Sequence, residues 1–181
     1  MNQPNRPVAV IVSGYFSPLH VGHLDMIEAG DALGDHLIVI VNNNDQQQAK
    51  KGKVIIDEQD RLRLVKALRV VDEAMIAVDD DRTVSQSLRR IAEKHSDHYD
   101  LVFANGGDRK PDFVPEAATC EEFGIRMVFD LGGSEKADSS SRINLELGVE
   151  VHRHEEQQGY MVDGLAVEER GVFGLLVRNR S

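Results

Sequence analysis

Val8-Ala9-Val10-Ile11-Val12-Ser13-Gly14-Tyr15-Phe16-Ser17-Pro18-Leu19-His20-Val21-Gly22-His23 decides how this chain folds. The apolar run predicts a buried strand over residues 8–13, and the spacing that follows predicts a helix over residues 21–33 with Gly34 as its stop. At such a helix start the first N–H groups have no partner within the helix and the dipole is positive, so the place favours phosphate. His20 and His23 add two imidazoles on the first turn. Gly14 and Gly22 leave room for a ligand to approach the backbone, and Pro18 stiffens the loop between them. A His-x-x-His pair has other readings: two solvated side chains, or part of a zinc site, which needs further ligands at suitable spacing. The single cysteine, Cys120, and the histidines His152 and His154 all lie far from the pair in sequence.

Outward from this stretch, short β-branched runs alternate with longer amphipathic segments. Leu37-Ile38-Val39-Ile40-Val41 is a continuous apolar run, as expected of a strand covered on both faces. A polar loop is expected over residues 42–53. Residues 57–68 then carry Leu62, Leu64, Val65 and Leu68 at helical spacing, and residues 73–78 read as a short strand. A helix over residues 83–95 has the apolar stripe Val84, Leu88, Ile91 and Ala92. A strand over residues 101–104 ends in Asn105-Gly106-Gly107-Asp108. Residues 115–123 form a helix stopped by Gly124, and residues 126–129 a fifth strand.

This alternation predicts an α/β fold over residues 1–150: a Rossmann-like, doubly wound, five-stranded parallel sheet with right-handed crossovers and helices on both faces. Residues 151–181, with Tyr160-Met161-Val162 and an apolar run at 172–177, read as a C-terminal appendage of short strands that covers the pocket or makes a dimer contact. Ligands of such sheets bind beyond the carboxyl ends of the strands, at the switch point. The loops there are residues 14–23, 42–53, 105–109 and 131–142, and in them Gly, Lys, Arg, Ser and His gather.

Composition narrows the function classes. The 181 residues are 41% hydrophobic and 29% charged, enough for one proper core. A net charge of −10 argues against a general nucleic-acid or membrane binder, since both need a basic footprint. An anionic substrate must therefore be held by locally clustered cations. No apolar run approaches the roughly 20 residues of a membrane span, and the start is too polar for a secretory signal. A single cysteine excludes an internal disulfide framework, which fits a reducing cytoplasm. Neither G-x-G-x-x-G nor G-x-x-x-x-G-K-[ST] follows the first strand, which weakens dehydrogenase and P-loop readings. The triplet Asp79-Asp80-Asp81 before a helix reads as capping and dipole compensation rather than a metal site.

Gly14 to His23 resembles the G-x-F-x-x-x-H-x-G-H signature of the nucleotidyltransferase superfamily that includes cytidylyltransferases and the adenylyltransferases of pantetheine phosphate and nicotinamide mononucleotide. Gly34-Asp35-His36, Lys51-Gly52, Arg61-Leu62 and Val70-Val71-Asp72-Glu73 resemble the cytidylyltransferase branch, which includes glycerol-phosphate and ethanolamine-phosphate enzymes. Asn105-Gly106-Gly107-Asp108 resembles the loop of heptose-phosphate adenylyltransferases, and Ser139-Ser140-Ser141-Arg142 the family's S-[ST]-[ST] motif. The resemblance covers about residues 7 to 150.

It implies transfer of a nucleoside monophosphate from an NTP to a small phosphorylated alcohol or sugar, with CTP placed ahead of ATP and pyrophosphate released. Catalytic roles fall to His20, His23 and Lys51, with Lys50 and Lys53 binding the nucleotide; the resemblance leaves open which of the three lysines meets the reacting phosphate. Gly14, Tyr15 and Phe16 line the phosphate loop. Gly106, Gly107 and Asp108 meet base and ribose, Arg109 meets a phosphate, and Ser139, Ser140, Ser141 and Arg142 take the β- and γ-phosphates. Each has a plainer alternative: a solvated lysine loop, a Gly-Gly turn, an N-cap. Magnesium is expected with the NTP phosphates, and a homodimer is expected. Ser17 departs from the Asp usual in cytidylyltransferases, while Pro18 is more like the adenylyltransferases. Lys136, near Ser134 and Glu135, stands in for an arginine that some relatives carry before the serines. The rival readings are an adenylyltransferase acting on a sugar phosphate or cofactor precursor, a nucleotide sensor without turnover, and a metal-binding regulator built on His20 and His23.

Overall fold

The computed structural model describes residues 6–106, 114–131 and 140–148. In chain order the elements are β1 (Val8–Gly14), α1 (Val21–Asp31), β2 (His36–Val41), α2 (Asn44–Lys51), α3 (Glu58–Lys66), β3 (Glu73–Ile76), α4 (Ser85–His95), β4 (Asp100–Gly106), α5 (Ala117–Phe123), β5 (Arg126–Leu131) and α6 (Ser140–Glu146). All four strand pairings are parallel and the order across the sheet is β3-β2-β1-β4-β5. The chain first winds outward from β1 to β3, then returns to β4 on the other side of β1. The crevice between β1 and β4 is thus the switch point where a ligand of such a sheet sits.

Strand alternation divides the core into two layers. Ala9, Ile11, Ile38, Ile40, Leu101 and Phe103 pack with Leu88, Ile91 and Ala92 of α4 and Cys120 of α5. Val10, Val12, Leu37, Val39, Val41, Val102 and Ala104 point the other way, onto Ile27 of α1 and Val65 of α3. Both faces of the sheet are covered, which is why β1 and β2 read as near-continuous apolar runs. The doubly wound five-stranded expectation holds. The expected appendage at 151–181 lies outside the described residues.

Three local expectations need correction. The polar loop expected over residues 42–53 contains a helix, α2. Its N-terminus is a capping box, with the Asn43 side chain accepting from Gln46 N–H and the Gln46 side chain from Asn43 N–H; a left-handed Gly52 (φ 74°) ends it. Its buried residues are Gln46, Gln47 and Lys51, so no apolar period marks it. In the second correction, Leu64 is exposed on α3, whereas Arg61 is fully buried. Third, α1 ends at Asp31 with Ala32 as its C-cap, two residues before Gly34. A Cβ on Gly34 would sit 2.7 Å from the Val8 carbonyl oxygen, so that glycine serves close approach to β1.

The acidic triplet does cap. Asp79 accepts from the Gln86 and Ser87 N–H groups at 2.6 and 3.1 Å and from the Ser87 hydroxyl, closing the start of α4. Asp81 accepts from the N–H and hydroxyl of Thr83.

Candidate active site

The loop after β1 forms the floor of the site. Phe16 has a positive φ of 50°, a conformation costing a bulky residue on the order of 1–2 kcal/mol, and burial of its ring holds it there. That ring lies 2.8 Å from where a Cβ on Gly14 would stand. Gly14 therefore makes room for Phe16, rather than for a ligand as its glycine suggested. The Ser17–Pro18 bond is cis.

His20 is the N-cap of α1 and His23 its third residue, so the two rings stack with centroids 3.8 Å apart and planes 30° from parallel. Phe16 meets His23 edge-on at 5.0 Å. Burial, then His20, then Lys51 lower the His23 pKa to about 3. A neutral His23 at pH 7 can donate one N–H but carries no charge. Its buried Nδ1 has no hydrogen-bond partner.

α2 delivers the lysines. Lys51 is buried and its Nζ donates to the Ser17 carbonyl at 2.8 Å. Burial, with Lys50 and Arg61 adding repulsion, lowers its pKa to about 8. Lys50 lies 4.4 Å over the Tyr15 ring, an exposed cation on an aromatic face. Lys53 follows the left-handed Gly52, half-buried, and joins none of these contacts.

Arg61 was quoted in sequence only as part of a resemblance, yet it organises the loops. Its guanidinium donates to the Tyr15, Asn42 and Ile56 carbonyls at 2.8, 2.6 and 2.8 Å and to Asn44 Oδ1 at 3.1 Å. All four acceptors are neutral. The signal for it was positional: Arg61, Val65 and Leu68 fall on one helical stripe, and a cation on an apolar stripe needs a reason.

Gln47 and Asn144 were also missed, and Asn105 was quoted only within a loop and a resemblance. Gln47 Nε2 donates to Ser17 Oγ at 2.8 Å, and Asn144 Nδ2 to the Ser17 carbonyl at 3.3 Å. Asn105, at the carboxyl end of β4, is buried with an unpartnered Nδ2. The serine motif opens α6 as expected. Ser140 donates its hydroxyl to the Pro18 carbonyl at 3.1 Å, and exposed Arg142 pairs with Glu146 at 2.7 Å, one turn on. Ser141 lies in α6. Gly106 ends β4 near Met26 of α1. Gly107, Asp108, Arg109 and Ser139 lie outside the described residues, as does Lys136.

The structure thus gathers His20, His23, Lys51, Lys50, Ser140 and the loop from Gly14 to Pro18 at the carboxyl end of β1. Among the described residues neither Lys51 nor Arg61 forms an ion pair. Arg61 feels the Glu58 and Asp57 carboxylates at the start of its own helix, whereas only basic groups bear on Lys51; a buried ammonium beside a helix N-terminus and neutral donors suits an anion. Among the described residues no cluster of three His, Cys, Asp or Glu is arranged to hold a metal, and no helix is long and apolar enough to cross a membrane.

Residues 11–143 match the cytidylyltransferase-like family, and the chain belongs to it. Among curated proteins it is similar to the FAD synthase of Pyrococcus abyssi, 40% identical over 73 residues that make up 40% of this chain and 49% of that one. It is also similar to the bifunctional protein HldE of Desulfatibacillum aliphaticivorans, 29% identical over 74% of this chain and 26% of that protein. The match spans about half the length of the FAD synthases. A crystal structure described as a lipopolysaccharide core biosynthesis protein from Thermoplasma volcanium superposes with a TM-score of 0.57 at 27% identity, covering 73% of this chain and 99% of that one.

Proposed function

We propose that the protein is a nucleotidyltransferase that moves a nucleoside monophosphate from an NTP to a phosphorylated small molecule. The observation that carries this reading is the buried Lys51, bonded to a neutral carbonyl, approached only by basic groups and close enough to lower the pKa of His23 in the stacked histidine pair. A phosphate oxygen of the acceptor attacks the α-phosphorus in line. The new P–O bond forms as the bond to the β-phosphate oxygen breaks, and pyrophosphate leaves. No covalent enzyme intermediate is needed; positioning and electrostatic stabilisation suffice. Lys51 neutralises phosphate charge, and His20 and His23 donate to oxygens of the α-phosphate. Arg61 works through the backbone, fixing the Tyr15 carbonyl and thereby the phosphate loop.

The donor is read as ATP rather than the CTP placed first from sequence. FAD, the product named in several relatives, contains an adenosine monophosphate half. A CTP enzyme remains the second reading. Magnesium enters as part of the NTP, held by phosphate oxygens, and assembly is read as a homodimer. Pyrophosphate release should be assayed for each of the four NTPs against flavin mononucleotide, sugar phosphates and phosphorylated alcohols. Release with one pair supports the proposal and names its substrates. Tight NTP binding without release from any pair would make the chain a sensor instead.

A further inference from the structure

Ser17 is a junction between two helices. Its hydroxyl accepts from Gln47 Nε2, and its carbonyl accepts from both Lys51 Nζ and Asn144 Nδ2. Gln47 and Lys51 stand one turn apart on α2 and so reach the same residue from one face. Ser17 and Gln47 have no exposed surface, and Asn144 has almost none. No ion pair reaches Lys51 among the described residues. The charged or titratable groups that bear on it are all basic: Lys50 on its own helix, Arg61 on α3 and His23 on α1.

The amide of Gln47 is only half satisfied. Its Oε1 is buried without a partner, which leaves an acceptor desolvated and uncompensated. A carboxylate there would bring negative charge close to Lys51, since both side chains bond Ser17, and would offset part of the charge offered to a phosphate. A neutral amide keeps the lysine in place and leaves its charge uncommitted.

We propose that Gln47, acting through Ser17, is a positioning residue that holds the Lys51 ammonium in a neutral cradle and so reserves its charge for a substrate phosphate. The cradle is built into the chain, whereas its use rests on the transferase reading above. Asn144 extends it to α6: the helix that opens with the serine motif and the helix that carries Lys51 share one carbonyl oxygen.

The test follows the Lys51 side chain directly. The ¹³C shift of the lysine ε-carbons is titrated in the wild type, with Lys51→Met assigning the signal, and then in Gln47→Glu. A carboxylate at this site should raise the Lys51 midpoint from about 8 by about one unit or more. It should also raise the acceptor KM by about tenfold, with kcat changed less, as expected when charge needed for binding is tied up. A Gln47→Glu midpoint that coincides with the wild type overturns the cradle. If Gln47→Glu does not fold, Ser17→Asp brings the carboxylate from the loop side, and the same upward shift is required of it. The alkaline limb of kcat/KM should move with the midpoint. A shifted midpoint in proteins that release no pyrophosphate upholds the cradle and sinks the transferase reading; an unshifted one in a protein that turns over does the reverse.

Discussion

At the scale of single residues, the stacked histidines set two expectations. If His20 and His23 donate to the charge that develops at the α-phosphorus, His20→Ala should lower kcat by about two to four orders of magnitude, in the range of a lost oxyanion-hole donor. A drop of about tenfold or less in pyrophosphate release would remove His20 from that role. His23 adds a stability signature that needs no substrate. Its folded pKa of about 3 lies below the ordinary value of 6.5. Between those values the unfolded chain holds a proton at this ring that the folded chain does not. Stability is therefore greater above pH 6.5 and is lost as the pH falls toward 3. Urea midpoints measured across that window should fall more steeply for the wild type than for His23→Leu; parallel slopes would show that burial does not keep the ring neutral.

At the scale of elements, α2 is both the piece least visible in sequence and the one the site depends on. A helix is recognised by its apolar period, and this one buries Gln46, Gln47 and Lys51 instead. Gln46 anchors it by donating to the Asp81 and Thr83 carbonyls at 2.7 Å each. The capping signature, Asn43 followed three residues later by Gln46, was legible in the sequence but lay inside a stretch read as loop. Asn43→Ala removes the cap and two further bonds to the Ala77 and Asp79 carbonyls. It should cost about 1–2 kcal/mol of stability, seen as a lower urea midpoint. NTP binding should weaken as well, because Lys51 rides on the same helix. Unchanged NTP affinity in a destabilised Asn43→Ala would detach the helix start from the site.

At the scale of the whole molecule, most of the architecture was readable because its signals are physical and local. The run from Leu37 to Val41 is fully buried, as a strand with both faces covered must be. Leu88, Ile91 and Ala92 pack as one face of α4, and its N-cap Val84 joins the same cluster. The histidines were legible because a strand-to-helix turn exposes N–H groups whatever the fold around it. Gln47 and Asn144 were not, because their shared partner, Ser17, is brought close only by the tertiary fold. Lys51, bonded to a neutral carbonyl and approached only by basic groups, also places local positive charge inside a chain of net charge −10. An approaching NTP is repelled at long range and attracted only within roughly a Debye length of the site, about 10 Å at 0.1 M salt. Added salt screens the distant repulsion first. Stopped-flow association rates should therefore rise from low ionic strength toward about 0.1 M, while the dissociation rate climbs as the close contacts weaken. A monotonic fall in the association rate would mean that the site's own field governs the approach. For this protein, the arrangement of charge makes capture of the substrate slowest where electrostatic forces reach farthest.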